Sequence, residues 1–341
     1  MKKSILSFLL ILCLILPSCF DLRDNPYASR TSFAMDTIIY YNVAHDGADE
    51  LLDACEAATA ALEASLSATM AESEVFRFNE SADGIALSDD TAALVGLALE
   101  IHGVLPAYDI TVAPLVSLWN VAHAGDGWTP PSDDDIASAL ALVGAERLTL
   151  ADGVLSKPDA DIAIDLGGIG KGWALGKAAS LIDAAGSYGT VSFGGNIAVI
   201  GTKADGSDWR VGVKNPADPT HLCAKLDISS GIVAVSGGYE RYAEYDGKRY
   251  HHILDPQTGY PSDSDLASAA VWVPGIDERS GALCDALSTA LFVMGREAAL
   301  GFYESGVYEF EALLIGADGT ITATGGLYED DGVWHIIKEE K

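Results

Sequence analysis

Residues 284–290 read C-D-A-L-S-T-A within an apolar run that includes Ala282, Leu283, Ala286, Leu287, Leu291 and Phe292. On a helix Asp285 precedes Ser288 by three residues and Thr289 by four, so a carboxylate and two hydroxyls share one face. Such oxygen donors suit a hard cation like Mg²⁺, which takes few carboxylates alongside substrate phosphates. The plain alternative is an acid near a helix N-terminus, with hydroxyls bonded back to helix carbonyls. A second stretch, Ile162–Lys177, reads I-A-I-D-L-G-G-I-G-K-G-W-A-L-G-K. It predicts a short strand from Ile162 to Leu166, a glycine-dense turn (Gly167, Gly168, Gly170, Gly172), and a helix that stops with Gly186 at C′. That geometry lets backbone N–H groups approach a phosphate, and Asp165 and Lys171 place opposite charges at one mouth. Neither G-x-G-x-x-G nor G-x-x-x-x-G-K-S/T is met, since Gly172 follows Lys171; a tight connection whose glycines serve only the turn is the other reading.

Residues 250–261, Y-H-H-I-L-D-P-Q-T-G-Y-P, supply two histidines on an expected strand, Tyr250–Leu254, which turns them to opposite faces. One could act as a general base on a hydroxyl, or both could be structural. Pro256, Gly259 and Pro261 fix the turn that follows. In residues 107–119, A-Y-D-I-T-V-A-P-L-V-S-L-W, Tyr108 could stack on a planar ring and Asp109 bond its edge or the backbone. Equally, this is a core segment entered through a turn.

The elements that must position these groups follow from periodicity and punctuation. Thr37–Val43 reads as a strand and Glu50–Ala68 as a helix; Ser88 caps a helix through Leu105, and Ser132 with Asp135 at N3 starts another. Val191–Gly201, Trp209–Val213, Lys225–Ile228, Gly231–Val235 and Ala269–Val273 read as strands between Gly, Pro, Asp and Asn turns. Ser280–Met294 is an expected helix with Gly295 past its end, and Glu311–Ile315 and Val333–Ile337 close the chain as strands. Helices cluster early and strands late, an α+β pattern in one domain without internal repeats.

The chain has 341 residues, 49% hydrophobic and 21% charged, enough for a large core. A net charge of −30 argues against a nucleic-acid partner, which needs a basic surface to release counterions. Lys2 and Lys3 ahead of the apolar run Ile5–Leu16 form a targeting segment too short to span a bilayer comfortably. It ends in L-P-S-C, similar to a lipoprotein cleavage box, so residues 1–18 are expected to be removed and Cys19 lipidated. Plain export is the alternative, because Pro17 is unusual in that box. Residues 19–32 then form a polar tether and 33–341 the domain. Cys55, Cys223 and Cys284 are too few and too scattered for a disulfide framework, and with no C-x-x-C and no histidine at zinc-like spacing a structural zinc is not expected.

Taken together, these segments resemble the ApbE family, the FAD:protein FMN transferases, also described as flavin-trafficking lipoproteins. The matching pieces are A-M-D-T (34–37), S-E-V-F-R-F-N (73–79), Y-D-I-T-V-A-P-L (108–115), D-L-G-G-I-G-K-G (165–172), F-G-G-N (193–196), S-G-G-Y-E-R (236–241), H-I-L-D-P-Q-T-G-Y-P (252–261) and D-A-L-S-T-A (285–290). The resemblance implies a T-fold-like α+β domain with a mixed or antiparallel sheet and packed helices. It implies binding of FAD and Mg²⁺, release of AMP, and transfer of FMN through a phosphoester to a Thr or Ser of a partner protein, such as a subunit of a membrane redox complex. An FAD pyrophosphatase yielding FMN and AMP, and a flavin-binding lipoprotein without turnover, are the alternatives. Carried over by position, Asp285, Thr289, the Gly168 carbonyl and Ser288 would hold the metal. Met35, Ala107, Tyr108, Asp109, Asp165, Lys171 and the Ile253 backbone would touch FAD, and His252 would be the base, acting with Asp285. The chain departs from the family pattern at Thr69 (often aromatic), Asp36 (often Gly), Trp173 (Tyr), Gly176 (Asp) and Val235 (Thr).

Overall fold

The computed structural model describes residues 27–44, 46–125 and 127–337; the expected signal segment and Cys19 lie outside them. The described chain opens with the hairpin β1 (Tyr27–Ala34) and β2 (Thr37–Ala44), followed by α1 (Ala48–Leu66) and α2 (Glu74–Glu80). Next come β3 (Gly84–Ala86), α3 (Asp89–Val104), α4 (Ala113–Trp119), α5 (Asp133–Leu140), β4 (Thr149–Ala151), β5 (Val154–Ser156) and α6 (Gly170–Ala184). Strands then dominate: β6 (Tyr188–Phe193), β7 (Asn196–Ile200), β8 (Trp209–Asn215), β9 (Asp218–Ile228), β10 (Gly231–Gly237), β11 (Tyr242–Tyr245), β12 (Lys248–His251) and β13 (Leu266–Val273). The chain closes with α7 (Glu278–Met294), α8 (Arg296–Glu304), β14 (Glu311–Gly316), β15 (Ile321–Ala323), β16 (Leu327–Asp330) and β17 (Val333–Ile336).

Eight strands form the main antiparallel sheet, in the order β1-β2-β6-β7-β10-β13-β14-β15. Its central strands are covered on both faces, which is why G-I-V-A-V in β10 is apolar without alternation. Ile232, Ala234, Ala269 and Val271 face the helices α1, α6 and α7, whereas Val199, Val233, Ala270 and Leu313 face a smaller sheet ordered β16-β17-β9-β8. The single domain is therefore an α+β sandwich: helices, large sheet, small sheet.

Several sequence expectations need correction. The tether does not extend to residue 32, because β1 already begins at Tyr27 and pairs along its whole length with β2. Its polar residues hid it, since an edge strand shows much of its surface to solvent. Helices are thus not gathered ahead of the strands. The Met35–Asp36 turn between β1 and β2 has φ of 52° and 56°, a left-handed pair suited to a two-residue hairpin. Asp tolerates that conformation better than most residues, which accounts for Asp36 where Gly is frequent. The expected strand Val191–Gly201 is two strands, β6 and β7, folded at Gly194 and Gly195 with φ of 57° and 116°. The strand expected over Tyr250–Leu254 ends at His251, leaving His252 just beyond it.

Residues Ile162–Leu166 form no strand and join no sheet. Side chains replace the missing neighbour strand: Asn79 donates from Nδ2 to the Ile164 carbonyl at 3.0 Å and accepts the Ile164 N–H at 2.8 Å. Lys157, buried over the Phe78 ring, donates to the carbonyls of Asn79, Ala160 and Ile162 at 2.8–3.0 Å. The Asp165 N–H closes the clamp on the Ile110 carbonyl at 2.7 Å.

Helices α6 and α7 pack almost backbone to backbone. A Cβ on Gly172 would lie 2.1 Å from the Gly281 carbonyl oxygen and 2.7 Å from the Asp285 Cβ, and one on Gly176 would lie 2.2 Å from the Asp277 carbonyl oxygen. The departure at Gly176 is thereby explained: no Asp side chain fits beneath the start of α7. Replacing Gly172 with Ala is predicted to lower stability by about 1–3 kcal/mol, because rigid backbone must move. Gly96→Ala in α3 meets only Leu150 Cδ2 at 3.5 Å and is predicted to raise stability by about 0.5–1 kcal/mol through helix propensity. Thermal melts of the two variants should move in opposite directions; a Gly172→Ala melting temperature at or above wild type would contradict the packing argument.

Candidate active site

Asp285 sits in the middle of α7 rather than at its N-terminus, and is buried. Its Oδ2 accepts the Gly172 N–H of α6 at 2.9 Å, in the first turn of a helix that has no side-chain N-cap of its own. The carboxylate therefore satisfies an orphan amide and meets the positive end of the helix dipole. Lys171 Nζ lies 3.8 Å from the same oxygen and donates to the Gly167 carbonyl at 2.6 Å, so its ammonium is folded back over the glycine turn. Asp165 tightens that turn by accepting the Gly167 N–H at 2.7 Å.

One helical turn beyond Asp285, Ser288 and Thr289 diverge. Ser288 is fully buried; its hydroxyl donates to the Asp285 carbonyl at 2.9 Å and meets Ser236 Oγ at 2.8 Å. Ser236 also reaches Thr289 Oγ1 at 3.2 Å, so a strand residue of β10 links both helix hydroxyls. Thr289 faces the glycine turn, since a Cβ on Gly168 would stand 3.7 Å from its Oγ1 and 3.3 Å from Tyr108 Cε2. Tyr108 is buried beneath Gly168 rather than open for stacking, and its hydroxyl has no hydrogen-bond partner among the described residues. Burial, reinforced by the charges of Asp285, Asp165 and Asp109, pushes the phenol well above its ordinary pKa, so it stays a donor. An all-oxygen set of Asp285, Thr289 and the Gly168 carbonyl, beside a buried O–H in want of an acceptor, fits a hard divalent cation with phosphate oxygens.

The other expected residues border this group unequally. Met35, at the hairpin tip, packs against Gly170 and donates its N–H to Glu63 at 2.7 Å. Ala107 is partly buried against the main core. Asp109 is turned inward: Oδ1 accepts the Thr111 N–H and hydroxyl at 2.7 and 2.5 Å, and Oδ2 the Ala145 N–H at 3.0 Å. Ile253 is buried with its carbonyl accepting the Ser262 N–H at 3.0 Å.

The two histidines do separate. His251 packs edge-on against Phe292 and bonds the Ser262 carbonyl at 3.0 Å, a structural role. His252 places Nδ1 3.1 Å from the Arg241 carbonyl. A carbonyl only accepts, so Nδ1 carries the hydrogen and Nε2 keeps its lone pair. Burial, aided by the positive charges of Arg241 and Lys171 and opposed by that carbonyl bond, pulls the ring down to about 4; at neutral pH it is an unprotonated base. Arg241 in turn donates to the Asp36 carbonyl at 3.3 Å, tying the histidine to the β1–β2 turn.

Sequence reasoning passed over Ser236 and Glu240 as individual site residues, although both lie in the quoted S-G-G-Y-E-R. Desolvation raises the Glu240 carboxyl, with Lys171, Lys214 and Arg241 opposing and Asp285 adding to the rise. Glu240 thus shares the mouth with Lys171 and Asp285. Only the fold reveals this, because β10 and α7 are brought together by the sheet.

Residues 35–314 match the sequence profile described as the ApbE family. A Vibrio cholerae protein named FAD:protein FMN transferase is 33% identical over 240 residues, covering 69% of this chain and 70% of its own. One of the same name from Escherichia coli K12 is 35% identical over 243 residues, covering 69% and 68%. Among solved structures, the Thermotoga maritima ApbE protein superposes with a TM-score of 0.80 at 29% identity, over 88% of this chain and 97% of that one. The Vibrio cholerae flavin transferase ApbE superposes with a TM-score of 0.76 at 27% identity, with the same coverage. The profile spans most of the chain and the fold agrees over nearly all of each relative: the chain belongs to the ApbE family.

Proposed function

We propose that this protein is an FAD:protein FMN transferase that uses a divalent cation, Mg²⁺ by the chemistry of its donors. The observation that carries the reading is a run of contacts: His252 Nδ1 on the Arg241 carbonyl, Arg241 on the Asp36 carbonyl, Met35 of that turn against Gly170, and Lys171 3.8 Å from Asp285. A base for a hydroxyl and a charged cradle for a pyrophosphate thus share one mouth.

In this reading the acceptor hydroxyl oxygen bonds to the FMN phosphorus, the P–O bond to AMP breaks, and the hydroxyl proton passes to Nε2 of His252. Asp285, Thr289 and the Gly168 carbonyl would hold the cation, which when bound neutralises charge on the pyrophosphate oxygens. Lys171 and the glycine turn orient the same group, and Ser288 with Ser236 fixes Thr289. Tyr108 donates its O–H from below. Proton removal by a positioned base contributes about 10²–10⁴-fold. Water in place of the acceptor hydroxyl would give FMN and AMP instead. The FAD contacts assigned by resemblance to Met35, Ala107, Asp165 and the Ile253 backbone belong to the same proposal. Asp109 enters it through support of the loop below Tyr108. The acceptor is a Thr- or Ser-bearing protein, such as a subunit of a membrane redox complex, and Cys19 is the lipid attachment point that holds the exported enzyme at a membrane.

Incubation with FAD, Mg²⁺ and an acceptor domain, read by acceptor mass and AMP release, tests the activity. A mass gain of one FMN is expected; free FMN with unmodified acceptor would make the protein a hydrolase, and intact FAD would remove the proposal. Asp285→Ala is predicted to abolish Mg²⁺-dependent turnover while keeping the circular dichroism of the folded protein; a fully active variant would refute the metal role. For His252, whose ring must be unprotonated to act, single-turnover transfer should hold from pH 8 to about 5 and fall as pH approaches 4. His252→Ala should slow transfer while FAD affinity stays near wild type, and an inflection near the ordinary histidine value would show the ring is not desolvated. Cys19→Ser is predicted to move the protein from the membrane to the soluble exported fraction; unchanged membrane association would exclude the lipid anchor.

A further inference from the structure

On the far side of the Tyr108 loop, His102 of α3, the buried Asp109 and the exposed Glu146 converge, with one ligating atom from each lying within 4.8 Å of the others. His102 Nδ1 lies 3.0 Å from the Tyr108 carbonyl and 3.4 Å from Asp109 Oδ2. Both neighbours of Nδ1 are acceptors, so that nitrogen carries the hydrogen. In the neutral ring Nε2 is then a bare lone pair, and it faces Glu146 Oε2 at 3.3 Å. Two lone-pair atoms repel at that distance, so either a proton or a metal ion stands between them.

Metal–nitrogen and metal–oxygen bonds of about 2.0–2.2 Å at a tetrahedral angle put the two ligand atoms about 3.3–3.5 Å apart. The separation is that of a coordination edge. Asp109 Oδ2, 3.4 Å from Nδ1 and accepting the Ala145 N–H, stands behind the imidazole and orients it, and Glu146, with its side chain 69% exposed, is free to close on an ion at Nε2. The same three residues line a cavity of about 460 Å³ together with Pro256 and Gln257, so an ion has an entry path and room for water ligands.

We propose that His102 and Glu146, with Asp109 orienting the imidazole from behind and water completing the set, form a second cation site for a divalent transition-metal ion of the zinc type. An imidazole with a carboxylate suits Zn²⁺, whereas the all-oxygen set around Asp285 suits Mg²⁺. The ion would fasten α3 to Glu146 and, with the imidazole held against Asp109 and the Tyr108 carbonyl, to the loop that carries Ala107, Tyr108 and Asp109. It would thereby brace the floor of the active site without touching the reacting groups.

The test is Zn²⁺ titration of the chelator-treated purified protein by calorimetry, with excess Mg²⁺ present to fill the oxygen site. One equivalent of Zn²⁺ is expected. Glu146→Gln and His102→Gln should each weaken it at least about tenfold, while Asp285→Asn should retain it. Glu146 is exposed enough that its variant tests the site without threatening the fold. No Zn²⁺ binding, or binding lost in Asp285→Asn and unchanged in Glu146→Gln, would overturn the proposal. Nitrogen NMR of the His102 ring gives an independent reading: a Zn²⁺-induced shift at Nε2 supports the site. A doubly protonated ring that ignores Zn²⁺ at neutral pH means a proton fills the gap, and the proposal fails.

Discussion

The contact between α6 and α7 is the constraint on which the other features depend. Gly172, Gly176 and Gly281 let two helices meet at backbone distance. At that separation a mid-helix carboxylate on α7 can cap the first turn of α6, as Asp285 does for the Gly172 amide. A wider crossing would leave the amide unpaired and carry Asp285 away from Lys171 and the Gly168 turn. The close approach also sets Thr289 against that turn and Ser288 against β10. Helix packing and ligand geometry are here one interaction seen from two sides.

The electrostatics of the mouth follow from burial more than from net charge. In a chain of −30, burial above all, with the charges of Asp285, Asp165 and Asp109 adding to it, keeps the Tyr108 phenol protonated. Lys171 and Arg241, gathered at the same mouth, act with burial to keep His252 neutral. The acidic surface elsewhere supports solubility. Within the site, positions and desolvation decide which group donates and which accepts.

What could be read in advance was local. The α7 helix, its polar face of Asp285, Ser288 and Thr289, and Gly186 at the end of α6 are all signalled by spacing and punctuation within a few residues. The Ser132 cap, which accepts the Asp135 N–H, is another such case. The α+β class was legible, with a mixed or antiparallel sheet implied by the family resemblance, but not the strand order. Features that depend on distant partners stayed hidden. Asn79, 85 residues from Ile164, stands in for a neighbouring strand, so the Ile162–Leu166 run looked like a strand while its true support lay in another motif. Ser236 joins Thr289 from 53 residues away and gave no sign of that in its own neighbourhood. The hairpin at Gly194–Gly195 was missed because the apolar run continues on both sides, and glycine alone does not distinguish a bend from a flat strand.

The separation of the site's parts along the chain has a consequence for how the protein comes to exist. The amide of Gly172 and the carboxylate of Asp285 are 113 residues apart, and Arg241 reaches the Asp36 carbonyl across 205. Closing loops of that length precedes any reward from the contacts they bring, so assembly of the mouth belongs to the late stage of folding. Until β10, β13 and α7 have joined the sheet, the glycine turn has no carboxylate opposite it and no histidine beside it. A nascent or partly folded chain therefore presents no completed cradle to a nucleotide, and ligand capture waits on completion of the whole domain.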